Sequence, residues 1–163
     1  MTVRSTSTID AELVGPLVAA QFPQLSDPPI SAFQPAGTVK AIYRIGDHLY
    51  ARLPRVQRWA QDLDNEWQWL PKLAPCLSLA VPEPVGTGHP GSSYPFSWAI
   101  YGWIECQPYT DELVEDEGQA AKNLAQFVDE LRRIDPVVGA PGGGRKPLGE
   151  LDAVTSVRLT EMT

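Results

Sequence analysis

Hydrophobic positions recur along this chain first with a helical period and then with a strand period. Apolar side chains fall at Ile9, Leu13 and Leu17, and at Val14, Val18 and Phe22. This i, i+4 spacing predicts an amphipathic helix from about Ile9 to Phe22. Thr8 is its expected N-cap, with Asp10 and Glu12 in the first turn. Pro16 counts against its centre, because a proline inside a helix costs about 3 kcal/mol. From Ile30 the period shortens. Lys40–Ile45 and Leu49–Leu53 flank Gly46-Asp47-His48, which predicts a β-hairpin. Alternation then puts Leu49, Ala51 and Leu53 on one face, and Tyr50 and Arg52 on the other. Val56 to Leu73 returns to a helical period, with Val56, Trp59, Ala60, Leu63, Trp67 and Leu70 as its stripe. Glu66 lies three residues after Leu63 and four before Leu70, so it points toward whatever this helix packs on.

Leu77 to Val85 reads as the start of a strand interrupted by Pro82 and Pro84. Gly86–Ser93 reads as a polar turn and Phe96–Ile104 as an apolar strand. A third helix is expected from about Glu112 to Ile134. Its stripe is Ala120, Ala121, Leu124, Phe127, Val128, Leu131 and Ile134, and Asp135-Pro136 ends it. Gly139–Gly149 is a Gly/Pro-rich loop. Antiparallel strands with segregated helices predict an α+β fold rather than a parallel sheet.

Composition narrows the classes. At roughly 100–200 residues per domain, 163 residues make one domain. The net charge is -7, whereas a nucleic-acid-binding domain carries a basic footprint. The apolar run Trp98–Ile104, with Gly102 inside it, is far short of the ~18 residues that span a bilayer. Neither nucleic acid nor membrane is an expected partner. The first apolar stretch is broken by Glu12 and Pro16, unlike a signal peptide. Cys76 and Cys106 form no Cys-x-x-Cys motif; one disulfide is arithmetically open, and two reduced thiols in the cytoplasm is the simpler expectation.

The candidate motifs differ in weight. Gly86-Thr-Gly88-His-Pro-Gly91 fits G-x-G-x-x-G, but a strand rather than a helix is expected after it, so a plain loop is expected. Gly139-Ala-Pro-Gly-Gly-Gly144-Arg-Lys146 lacks the P-loop order, since Pro147 stands where Ser or Thr should hold magnesium. His48 and His89 have no ligand partners at metal spacing and are expected in solvent, and no G-x-S-x-G elbow occurs. Asp111, Glu112, Glu115, Asp116 and Glu117 suit a helix N-terminus; the sharper alternative is a docking patch for a polyamine-like substrate. Arg52 on a central strand and Glu66 on the next helix have the makings of a phosphate-orienting ion pair. An ordinary salt bridge, contributing at most about 1 kcal/mol, fits the same pattern.

The ordered set of segments resembles the aminoglycoside phosphotransferase-like family of kinase-fold enzymes. The resemblance is carried by Ala36-Gly-Thr-Val-Lys-Ala-Ile-Tyr-Arg-Ile-Gly-Asp47, Tyr50-Ala-Arg-Leu-Pro54, Asn65-Glu-Trp-Gln-Trp-Leu-Pro-Lys-Leu-Ala-Pro75, Ala80-Val-Pro-Glu-Pro84 and Tyr101-Gly-Trp-Ile-Glu105. It covers about Ile9 to Asp152 and implies a protein-kinase-like N-lobe, residues 1–104. A hinge exit and the start of a helical C-lobe, residues 105–163, would follow. By this resemblance Ala36-Gly37-Thr38 is the turn that covers the nucleotide, with one glycine where protein kinases use three. Arg52 takes the place of the third-strand lysine that touches phosphates; it is charged and bidentate, but not equivalent to lysine. Tyr50 would face adenine and Glu66 would orient Arg52. Tyr101 resembles the gatekeeper, and the backbone of Gly102, Trp103 and Ile104 the adenine-binding hinge. Cys106 stands where relatives often carry glycine.

The family's catalytic H-G-D-x-H-x-x-N loop and its following metal-binding Asp have no counterpart here, because His48 is followed by Leu-Tyr and His89 by Pro-Gly. The resemblance therefore implies the ATP-binding part of a small-molecule phosphotransferase, inactive by itself. Magnesium and a hydroxyl-bearing, aminoglycoside-like substrate would bind only with the missing lobe. The alternative is a non-catalytic module that pairs with another chain, or with itself, through the apolar surface a C-lobe would cover.

Overall fold

The structure is a computed structural model that describes residues 9–33, 39–60, 62–91, 93–106, 110 and 116–135. Helix α1 (Ala11–Gln21) leads into strand β1 (Ile30–Ala32) and the hairpin β2 (Lys40–Ile45) and β3 (Leu49–Pro54). Helices α2 (Gln57–Ala60) and α3 (Asp62–Leu73) follow, then β4 (Pro84–Gly88), β5 (Trp98–Gly102) and α4 (Glu117–Arg133). The strands form one antiparallel sheet in the order β1-β2-β3-β5-β4. This is the expected α+β fold, an antiparallel sheet with an inserted helix and one helix after it.

The two faces of the sheet have different jobs. On one, Val14, Leu17 and Val18 of α1 meet Ala41, Tyr43, Ile45, Ala51, Leu53, Trp98 and Ile100. This is the main core, and the alternation expected for β3 produces it, with Leu49 packed at its margin. On the other face, Leu63 of α3 packs with Ala99 and Tyr101, flanked by Tyr50 and Leu70. The face under α3 is the one that carries Arg52.

Several expected elements are shifted, each for a physical reason. Helix α1 is capped by Asp10, whose carboxylate accepts the Leu13 N–H at 2.9 Å; the expected cap, Thr8, lies outside the described residues. The single helix expected from Val56 to Leu73 is described as α2 and α3, either side of residue 61, which is also outside. Its stripe is narrower than expected, because Val56 and Trp67 are exposed. Leu63, Glu66 and Leu70 face the sheet, and Trp67, about 100° round from Glu66, therefore turns outward. Strand β4 begins at Pro84 rather than near Leu77, since Pro82 and Pro84 bring no N–H to a ladder.

The expected polar turn from Gly86 is instead strand at Gly86-Thr-Gly88. Gly88 has Trp98 lying where a Cβ would stand, so the glycine makes room for the indole rather than for a turn. Strand β5 is shorter than Phe96–Ile104: Phe96 packs edge-on against Tyr94 before the strand begins. Helix α4 ends at Arg133, as Asp135-Pro136 implies, but none of its apolar stripe is buried, and Leu124 is 59% exposed. No described element covers that stripe. The loop Gly139–Gly149 and residues Asp111, Glu112 and Glu115 lie outside the described residues. Asp116 caps α4 by accepting the Gln119 N–H at 2.8 Å, and Glu117 sits in its first turn.

Candidate functional site

The site grows from the pairing of β2, β3 and β5. The register sets Ile42 opposite Arg52, Arg44 opposite Tyr50, and Tyr50 opposite Tyr101. Cross-strand partners share a face, so Lys40, Arg44, Tyr50, Arg52 and Tyr101 all rise on the side of α3. Glu66 comes down from α3 to meet them. One of its carboxylate oxygens, Oε2, accepts from Arg52 Nη1 and from the Tyr101 hydroxyl at 2.8 Å. The other, Oε1, accepts from Lys40 Nζ at 3.0 Å. The Lys40 ammonium also lies 3.9 Å from Asp62, one helical turn before Glu66. The side chains of Lys40, Arg52 and Glu66 are 11%, 24% and 21% exposed, deep enough for their charges to be only partly screened.

Sequence reasoning paired Arg52 with Glu66 and the structure brings them together. It missed Lys40. The signal was present: strand alternation puts Lys40 and Ile42 on one face, and the hairpin register puts that face under Arg52. What the sequence lacked was the register itself, which tells the two faces of β2 apart.

An aromatic row runs beside the cations. The Tyr50 and Tyr101 rings stack with centroids 5.4 Å apart. Trp103 stands edge-on to Tyr50 at 5.8 Å and to Phe33 at 5.1 Å, with the Arg44 guanidinium 4.6 Å from its ring centre. Arg44 is held there by Glu105 at 2.8 Å and by the carbonyls of Gly46 and Asp47. Burial pushes the Tyr50 hydroxyl up to about 12, against the pull of Arg52. Burial raises Tyr101 further still, and the Glu66 carboxylate reinforces it, so Tyr101 stays a donor.

The segment after β5 is already partly committed. The Gly102 N–H donates to the Glu83 carbonyl at 2.8 Å and the Trp103 N–H to the His48 carbonyl at 2.7 Å. Ile104 follows, half-buried. Trp103 Nε1 is buried and meets no acceptor among the described residues. Gly37 and Thr38 lie outside the described residues. His48 and His89 are exposed, and the described residues hold no cluster of His, Cys, Asp or Glu fit for a metal ion. Cys76 and Cys106 are free and exposed. No helix among the described residues is long and apolar enough to cross a membrane.

A family model described as the phosphotransferase enzyme family matches residues 35–158. The chain belongs to this family. Solved structures agree at the level of fold. The GDP and kanamycin complex of APH(2")-IIIa superposes with a TM-score of 0.66 at 23% identity, over 76% of this chain and 42% of that one. Wild-type aminoglycoside 2'-phosphotransferase-IIIa bound to GDP gives 0.67 at 21% identity, over 78% and 43%. The streptomycin–ATP ternary complex of APH(2")-IIa gives 0.56 at 21% identity, over 79% and 42%. The chain thus spans less than half the length of the family members it superposes on. No curated protein matches it.

Proposed function

We propose that this chain is the nucleotide-binding lobe of an ATP-dependent small-molecule phosphotransferase, and that by itself it binds nucleotide without transferring phosphoryl. The observation that carries the reading is the carboxylate of Glu66, which fixes Arg52 of β3 on the α3 face of a lobe with this family's fold. A guanidinium held through one nitrogen keeps further N–H donors for an anion. Arg52 would hold phosphates, with Glu66 as its positioning partner. Tyr50 would meet the base, and Tyr101 would close the back of the site. The N–H groups of Gly102 and Trp103 are spent within the protein, which leaves base recognition at the hinge to Ile104 and to carbonyl groups. Gly37 and Thr38 are assigned to the covering turn by family resemblance.

ATP supplies the γ-phosphoryl group for transfer to a hydroxyl, a reaction that rests on positioning and charge stabilisation. The 163 residues contain no H-G-D-x-H-x-x-N segment, so the group that would receive the hydroxyl proton and the groups that would hold magnesium are not among them. The acceptor is a hydroxyl-bearing small molecule of the aminoglycoside kind, as the kanamycin and streptomycin complexes of the structural neighbours suggest. The free thiols support a reducing, cytoplasmic setting. The test is titration of the purified chain with ATP, beside a transfer assay over hydroxyl compounds. Saturable ATP binding that Arg52→Gln weakens, with no turnover, is the expected outcome. No binding, or turnover by the chain alone, refutes the reading.

A second reading is favoured by the exposed stripe Leu124, Val128 and Leu131 of α4: a module that works by pairing with another chain. Light scattering separates the two. A lobe that binds ATP as a monomer supports the first; a stable assembly indifferent to ATP supports the second.

A further inference from the structure

We infer that Lys40 is a second phosphate-binding cation of this lobe, engaging a nucleoside triphosphate alongside Arg52. The inference rests on the nucleotide-binding reading above and assigns it a residue that the resemblance does not supply. Lys40 opens β2, and Arg52 lies on the neighbouring strand β3, both on the face under α3. The two cations are held side by side by a single carboxylate, Lys40 on Oε1 of Glu66 and Arg52 on Oε2. Among the described residues Asp62 is the other carboxylate in reach of Lys40; at 3.9 Å and 36% exposed it is the more weakly coupled and better-screened partner. Two cations thus meet two carboxylates, but one of the carboxylates is only loosely engaged, so both cations keep attraction to spare for an incoming anion. An ammonium has three donors, and two acceptors among Glu66 and Asp62 leave one for a phosphate oxygen. An arginine and a lysine also complement each other chemically: the guanidinium forks across two oxygens, while the ammonium acts as a point charge on a third. Two adjacent cations suit a chain of phosphates better than a single phosphate.

The experiment titrates the purified full chain with ATP, AMP and adenosine, for the unsubstituted protein and for Lys40→Gln, Lys40→Arg, Arg52→Gln and the Lys40→Gln/Arg52→Gln double variant. Unfolding midpoints establish that each is folded. Lys40→Gln is expected to weaken ATP roughly tenfold, the loss of one charge-assisted hydrogen bond, while adenosine binding holds and Lys40→Arg keeps most of the ATP affinity. The losses in the double variant should multiply, as for two separate phosphate ligands. Three results overturn the inference: ATP binding unchanged in Lys40→Gln, equal losses for ATP and adenosine, or a double variant no weaker than Arg52→Gln. The last two would make Lys40 a purely structural partner of Glu66. If the unsubstituted chain binds no ATP, the nucleotide reading itself fails and this inference goes with it. Should Lys40→Gln not fold, acylation of the unsubstituted chain decides instead. Saturating ATP, but not adenosine, should shield Lys40 from the reagent as read by mass spectrometry, and equal labelling with and without ATP overturns the inference.

Discussion

At the scale of single residues, Glu66 has the greatest reach, because three donors from three strands, β2, β3 and β5, converge on its carboxylate. Removing it would leave two cations facing each other at partial burial. Glu66→Ala should therefore cost roughly 1–3 kcal/mol of stability and lower ATP affinity in the same variant, read by chemical denaturation and titration. Tyr101→Phe removes only one donor and should cost about 1 kcal/mol. A loss for Tyr101→Phe as large as for Glu66→Ala would mean that packing of the ring, and not the carboxylate, organises the site. Tyr50 sets a pH limit. Its hydroxyl rises from 10.0 to about 12 because of burial, so the folded state holds that proton more tightly than the unfolded chain. Its contribution is complete below pH 10 and is lost as the pH climbs through about 12. Denaturation midpoints should fall over that window, and Tyr50→Phe should flatten the fall. An identical slope in the variant would place the effect elsewhere.

At the scale of elements, local chemistry and tertiary packing can be separated. Asp10→Ala removes the cap of α1 and should cost about 1 kcal/mol, whereas Pro16→Ala should raise the melting temperature, because Pro16 is exposed and contributes no N–H. Gly88→Ala belongs to a different class. Its Cβ would land on the Trp98 indole, which is buried and cannot yield, so overpacking should cost about 1–3 kcal/mol or more. This contrast also explains what was legible beforehand. The hairpin β2–β3 and the inward aim of Glu66 followed from period and spacing, which are local. Strand β4 did not, because Gly86-Thr-Gly88 carries a turn composition whose glycines answer to Phe22, far away in sequence, and to Trp98 on the neighbouring strand β5. Lys40 escaped notice for the same reason: a lysine in a strand is unremarkable until the register shows which carboxylate it meets.

At the scale of the whole molecule, stability is unevenly spread. The α1 face and the α3 face of the sheet are packed, while α4 buries none of its residues. A backbone-to-side-chain bond ties α4 to the rest, the Ser78 N–H donating to Glu130 at 2.7 Å, and it is what lowers the Glu130 pKa most. Hydrogen exchange should therefore find the amides of α4 opening long before those of β2, β3 and β5. Equal protection of helix and sheet would show that α4 is covered in solution. The apolar stripe of α4 was legible as a helix and misleading as a core, since periodicity reports that a face seeks cover without saying where the cover comes from.

The sheet also has an outer margin to defend. Strand β4 lies at the end of the order, and an unpaired strand edge is a template on which a second molecule can add a strand. Just past β4, the Gln21 side chain donates to the His89 carbonyl at 2.9 Å and accepts the His89 N–H at 2.7 Å. A side-chain amide here imitates one peptide unit of a neighbouring strand and occupies the first rung such a neighbour would use. The same residue that ends helix α1 thus caps the end of the edge strand, where an added strand would otherwise begin.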